Sequence, residues 1–385
     1  MSVPKVSKPH VVAIVAGEPS GDSLGAGLIR SMTESYPDLR FVGVGGSKME
    51  AAGCEILYHM ERIGVMGLDG LFEKLFDIIG IRRSLFKRFS EDKPIVFVGI
   101  DVPDFNLTLE RKLKAQGVPC IHYVSPTVWA WRGYRIHKIR DSINHMLTLF
   151  PFEAAFYEAR DVPVTFVGHP FADQIDAPDR TRARADLGLP EDATVVALLP
   201  GSRRSEVKRL AGLLVDSARD LAAQRPGIIF LLPFANKRVE KEFDEAVGQT
   251  NDISLIRLSG QARLALEAST TAILASGTVA LEAAILRRPH VVVYKLSAFS
   301  YWLMRKLGQV NYYSMPNHLL PQPRVPELIQ SAATRENVVR EVSRFLDNPD
   351  LAADLERAFE EIHLQLRRDA NIQARNAIAR IAGLN

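Results

Sequence analysis

The sequence predicts an α/β protein built from two doubly wound, Rossmann-like domains. Short, β-branched apolar runs alternate with stretches of helical periodicity along the chain, as parallel sheets wrapped by helices require. The length of 385 residues favours two domains over one. The alternation also stops at a polar stretch near the middle and then starts again.

Taken in order, the runs at 10–16, 40–44, 94–100, 118–124 and 145–150 read as strands of the first half. Helices at 23–35 and 105–116 lie between them. Val11–Val15 ends directly in Ala16-Gly17-Glu18, so it reads as a first strand and its turn, not as a leader. Val167-Gly168-His169-Pro170 and the polar residues up to Arg182 form the expected hinge. In the second half, strands are expected at 194–199, 227–232, 253–256, 271–274 and 290–294. The expected domains are therefore 1–170 and 171–350, followed by C-terminal helices over 351–385.

Composition narrows the function. Hydrophobic residues make up 47% and charged residues 24%, which fits a folded chain. A net charge of +3 is too weak to argue for nucleic acid. The two cysteines, Cys54 and Cys120, stand far apart, and the nine histidines show no metal-ligand spacing, so no metal and no cofactor are expected. No run reaches the roughly 18 apolar residues of a spanning helix.

Six segments carry candidate chemistry. Ala275 to Glu282 follows an apolar strand and opens an Ala-rich helix. Ser276, Gly277 and Thr278 would either bare the first-turn N–H groups to a phosphate or simply join strand to helix with small residues for tight packing. Glu282, one turn after Thr278, would accept the hydroxyls of a ribose. Leu199 to Val207 repeats the pattern: Gly201 and Ser202 make another anion-friendly helix entrance, and Arg203 offers a planar fork for phosphate oxygens. Arg204 reads as solvated and Ser205 as a cap.

In Ala16 to Gly25, the carboxylate of Glu18 ends the first strand. Ser20 or Asp22 reads as a cap of the following helix, and Gly21 allows close approach. In Gly99 to Asn106, Asp101 stands at a strand end where it suits either a general base for a sugar hydroxyl or an organiser of the turn, while Asp104 reads as an N-cap. Trp129, Trp131 and Arg132 suit either a sugar or acyl-chain surface or an aromatic cluster bridging the domains. In Tyr312 to Leu320, Asn317 suits either a base or sugar edge or a turn. Finally, Leu71, Phe72, Leu75, Phe76, Ile78 and Ile79 form a wide apolar face running into Arg82, Arg83, Lys87 and Arg88. That reads as a membrane-surface element or a core-facing helix.

Six of these motifs together resemble the lipid-A-disaccharide synthase family: AGEPSGDSLGA (16–26), GIDVPDFN (99–106), HYVSPTVWAWR (122–132), LLPGSRRSEV (198–207), ASGTVALE (275–282) and SMPN (314–317). They stand in family order and span nearly the whole chain. The resemblance implies a GT-B fold and an inverting, metal-free transfer. UDP-2,3-diacylglucosamine would donate its sugar to 2,3-diacylglucosamine 1-phosphate, giving a β-1,6-linked disaccharide 1-phosphate and UDP. It implies peripheral attachment to the cytoplasmic face of a bacterial inner membrane, and a homodimer in which C-terminal segments can be exchanged. Carried over by position, the family's functional residues fall on Asp101, Glu18, Arg203, Glu282 and Asn317. The chain departs from the family at His318-Leu319-Leu320-Pro321-Gln322, where a small Leu-Ala-Gly stretch is usual. The competing readings are a UDP-N-acetylglucosamine 2-epimerase, another glycolipid-forming transferase, and a non-catalytic membrane scaffold.

Overall fold

Apolar runs of four to six residues form the buried strands of two parallel sheets. The computed structural model describes residues 10–64, 71–131, 135–296 and 312–384. The chain divides into two units, one of residues 1–173 with 366–385, the other of residues 174–365.

The first unit holds seven strands: β1 Val11–Ala16, β2 Arg40–Gly45, β3 Cys54–His59, β4 Val96–Ile100, β5 Cys120–Tyr123, β6 His145–Thr148 and β7 Val164–Phe166. Their order is β3-β2-β1-β4-β5-β6-β7, with every pairing parallel. β4 is buried along its whole length and β1 along nearly all of it, because helices cover both faces of a doubly wound sheet. From β1 and β4 the chain winds outward in opposite directions. Their C-terminal ends therefore mark the switch point, where such sheets leave a crevice for ligands.

The second unit repeats the plan with β8 Val195–Leu199, β9 Ile229–Phe234, β10 Leu255–Ser259, β11 Thr271–Ala275, β12 His290–Tyr294 and β13 Glu327–Ile329. Their order is β10-β9-β8-β11-β12-β13, so the switch point falls between β8 and β11. All ten strands expected from the sequence are present, with ends shifted by a few residues. β3, β7 and β13 were not expected. All three lie at sheet edges: β3 is mostly part-exposed, and β7 and β13 are only three residues long.

The return to the first unit comes at Leu366, because the helix Pro349–Leu366 belongs to the second. The last helix, Ala370–Ala382, packs against the helix Pro19–Ser35. Its start is held by the Asp173 carboxylate, which accepts the backbone N–H groups of Arg368 (2.9 Å), Asp369 (2.9 Å) and Ala370 (2.7 Å). Three orphan donors at a helix start are thus satisfied by a side chain nearly 200 positions earlier.

The helix Leu71–Asp92 answers the question of its apolar face in part. Ile81, Leu85 and Phe89 are buried in the core, with Ile78 and Phe86 packed against them. Phe76 is 75% exposed. The side chains of Leu71, Phe72 and Leu75 lie outside the described residues. Among the described residues, no helix is long and apolar enough to cross a membrane.

Candidate active site

The loops after β8 and β11 enclose a pocket of about 500 Å³ in the second unit. Gly201, Ser202 and Arg203 line one side, Ser276, Gly277 and Thr278 another, and Glu282 lies deeper. Gly277 caps the helix Thr278–Ile285 at φ +146°, a conformation open to glycine, with no side-chain hydrogen bond at the cap. Ser202, Gly277 and Thr278 are exposed, as an anion cradle must be. Glu282 is largely buried; burial pushes its carboxyl pKa above the ordinary range, and Arg263 pulls it partway back.

Arg203 does not stand alone. Its Nη1 donates to Glu206 Oε1 at 3.0 Å, and Glu206 Oε2 accepts the Arg203 backbone N–H at 3.4 Å. Glu206 was not singled out from the sequence. Its place three residues into the helix Arg204–Gln224 is the capping-box position, which was the available signal. Arg204 is exposed, as expected of a solvated side chain, and it also pairs with Glu242, its Nε 2.8 Å from Oε2. Ser205 lies inside the helix and does not cap it.

At the switch point of the first unit, Ala16 and Ile100 are paired neighbours, so Glu18 and Asp101 follow adjacent strands. Glu18 is exposed at the start of the helix Pro19–Ser35, beside exposed Ser20 and buried Gly21. Asp101 is partly buried, and its Oδ1 accepts the Val102 N–H at 2.8 Å. Asp101 and Val102 take φ of +53° and +44°, rare for a residue with a side chain and costly for a β-branched one.

Three expected capping roles are revised here. Neither Ser20 nor Asp22 caps its own helix. Asp22 is 3% exposed and accepts the N–H groups of Gly46 (2.7 Å), Lys48 (3.1 Å) and Met49 (3.1 Å). It caps the short helix Ser47–Ala51 and so ties the helix Pro19–Ser35 to the segment after β2. Asp104 does not cap either: it ion-pairs with Arg135, and the cap position falls on Val102.

Asn317 is 3% exposed and fully committed inward. Its Oδ1 accepts from Arg324 N and Val325 N, both at 3.0 Å, and its Nδ2 donates to Val325 O and Glu327 Oε1. With Glu327, which also accepts the N–H groups of Tyr313 and Ser314, it staples the segment 312–327. The Ser276 hydroxyl donates to Tyr313 O at 2.9 Å, so it fixes that segment beside the pocket.

Trp129 packs edge-on against Phe152 at 4.8 Å. Phe152 stacks on Phe150, which in turn meets His169. These four residues all belong to the first unit. Beneath them Glu153 accepts the Phe150 N–H at 3.3 Å, and burial pushes its carboxyl pKa up to about 8. The Trp131 side chain and Arg132 lie outside the described residues.

A family model described as lipid-A-disaccharide synthetase matches residues 12–382. A lipid-A-disaccharide synthase of Pseudomonas savastanoi pv. phaseolicola is 45% identical over 379 residues, covering 98% of this chain and 99% of the relative. Its counterpart from Pseudomonas putida is 46% identical over 368 residues, covering 95% and 97%. Among solved structures, UDP-GlcNAc 2-epimerase from Neisseria meningitidis bound to UDP-GlcNAc aligns at TM-score 0.62 and 13% identity, covering 98% of this chain and 100% of that one. Acinetobacter baumannii MurG aligns at TM-score 0.58 and 14% identity, covering 96% and 99%. At such identities the structural likeness speaks for the fold alone, which is GT-B.

Proposed function

The chain belongs to the lipid-A-disaccharide synthase family, and on that premise we infer that it joins UDP-2,3-diacylglucosamine to 2,3-diacylglucosamine 1-phosphate. The products are the β-1,6-linked disaccharide 1-phosphate and UDP. The observation that carries this reading is the division of chemistry between the two switch points. The uncapped helix entrance at Gly277, Arg203 with Glu206, and the largely buried Glu282 stand at one, and an exposed glutamate with Asp101 stands at the other.

In this reading the diphosphate rests on the helix entrances at Ser202 and Ser276–Thr278, with Arg203 against its oxygens. The ribose hydroxyls donate to Glu282. Glu206 keeps the Arg203 fork aimed, and Asn317 acts indirectly by holding the segment that Ser276 grips. Charge develops on the departing UDP as the anomeric bond breaks, and donors fixed in advance stabilise it. Asp101 takes the proton of the acceptor 6-hydroxyl as that oxygen attacks from the face opposite UDP, which inverts the anomeric centre. Glu18 supports sugar binding beside it. Trp129 supplies an apolar wall.

The test is direct. Purified protein is incubated with both substrates, with and without EDTA, and mass spectrometry follows disaccharide and UDP. Acceptor-dependent disaccharide that survives EDTA supports the reading. UDP release without disaccharide, or epimerised donor sugar with no need of acceptor, overturns it.

We also propose peripheral attachment to the cytoplasmic face of the inner membrane through the outer side of the helix Leu71–Asp92. Phe76, Gly80, Arg83 and Lys87 are all exposed and recur at helical spacing, giving an aromatic anchor and two cations on one stripe. Each cation near an anionic surface contributes about 1 kcal/mol, so Arg83→Gln with Lys87→Gln should weaken binding to phosphatidylglycerol vesicles about 10-fold or more. Phe76→Ser should weaken it further, measured by co-sedimentation. Equal pelleting of wild type and variants would remove this surface from the account. A homodimer with exchanged C-terminal segments would reuse the seat of Ala370–Ala382 on a second copy, and light scattering of the purified protein tests it.

A further inference from the structure

Asp101 and Val102 stand in a backbone conformation that neither residue type favours, so something nearby must impose it. The Asp101 N–H still donates to Tyr123 O at 2.9 Å, the last rung of the β4–β5 ladder. After that rung the chain turns sharply into the helix Pro103–Lys114. One side chain faces the inside of that turn. Asn106 is fully buried, and its Nδ2 lies 2.8 Å from Asp101 O, 3.3 Å from Ile100 O and 3.4 Å from Val15 O. It therefore ties the ends of β1 and β4 to the turn between β4 and the helix.

The floor under Asn106 is built as well. One turn along the same helix, Glu110 Oε1 lies 2.8 Å from His122 Nδ1, and both side chains are 0% exposed. They fit because residue 99 is glycine: a Cβ there would lie 2.3 Å from Glu110 Oε1 and 3.0 Å from Asn106 Cβ. Such a buried polar pair adds little to stability compared with an apolar pair of the same volume, so its presence calls for another explanation.

We propose that Asn106 is a positioning residue for Asp101, holding the left-handed turn that aims the carboxylate, with Gly99, Glu110 and His122 as its floor. The proposal rests on the reading of Asp101 as the base. An amide suits the task because it offers two N–H groups to carbonyl oxygens, which neither aspartate nor alanine can do.

The test is Asn106→Ala, alone and combined with Val102→Gly. Misplacing a reacting group by about 1 Å can cost about 100-fold, so Asn106→Ala should lower kcat by about that factor. The Kd for UDP and the KM for the donor should stay near wild type, because those contacts belong to the other unit. Glycine at 102 takes the left-handed conformation freely, so the double variant should recover about 10-fold or more of the lost turnover. Loss of core packing would not be repaired that way. If Asn106→Ala does not fold, Asn106→Ser is read by the same criteria. A kcat within about threefold of wild type, or a loss that Val102→Gly does not relieve, overturns the proposal. Asp101→Asn run in parallel separates the two ideas. If it abolishes turnover while Asn106→Ala does not, only the positioning role fails; if it leaves turnover normal, the base assignment itself falls.

Discussion

Replacing Asp101 by asparagine is expected to lower kcat by about 10²- to 10⁴-fold, the usual contribution of a positioned general base. Asparagine keeps the side-chain oxygen that accepts the Val102 N–H, so the turn should survive and only basicity is lost. UDP should bind as in wild type, because its proposed contacts come from the second unit. The measurements are steady-state turnover with both substrates and calorimetric titration with UDP. A variant that turns over near the wild-type rate would remove Asp101 from its role. A variant that loses UDP binding in step with turnover would point to a folding defect.

Removing the Glu282 carboxylate should act on the opposite side of the reaction. Hydrogen bonds to a charged group are worth about 1.5–3 kcal/mol each, and two ribose hydroxyls are in question. Glu282→Ala should therefore weaken UDP binding by about 10- to 100-fold for each hydroxyl bond lost. The pH dependence has a defined sign. Burial raises the Glu282 pKa, and ribose hydroxyls donate to the ionised form, so affinity is present above that raised pKa and lost as pH falls through it. Glu282→Gln, which cannot ionise, should lack this step, while the titration of the diphosphate itself is common to both proteins. Equal UDP affinity in wild type and Glu282→Ala would end the ribose assignment.

Much of this site was legible in the sequence because strand ends are. An apolar run such as 95–100 can hardly be anything but a buried strand, and whatever follows it stands at a sheet edge. Asp101, Arg203 and Glu282 could be placed that way, one run at a time. What escaped needed the third dimension. Asp22 looked like a local cap and instead satisfies a helix 24 positions downstream. Asn317 looked like a group offered to a ligand, yet its amide is spent on Val325 and Glu327. Nothing in Asp101-Val102 announces two successive left-handed residues, since propensity argues against valine there. Asn106 was visible within its motif, but its task follows from three carbonyls that come together only when β1 and β4 pair.

The carboxylate of Asp173 joins residues that leave the ribosome nearly 200 positions apart. The second unit is continuous, so every residue it needs has been synthesised once Gln365 is made. The first unit begins earlier and finishes last, because Ala374, Ala377 and Ile378 of its final helix are buried only after the closing residues emerge. Synthesis therefore passes through a stage in which the later-made domain can be complete while the earlier one still shows bare apolar surface. A stop codon at position 370 would hold the chain at that stage, leaving the proposed base on an unfinished support and the proposed UDP pocket whole.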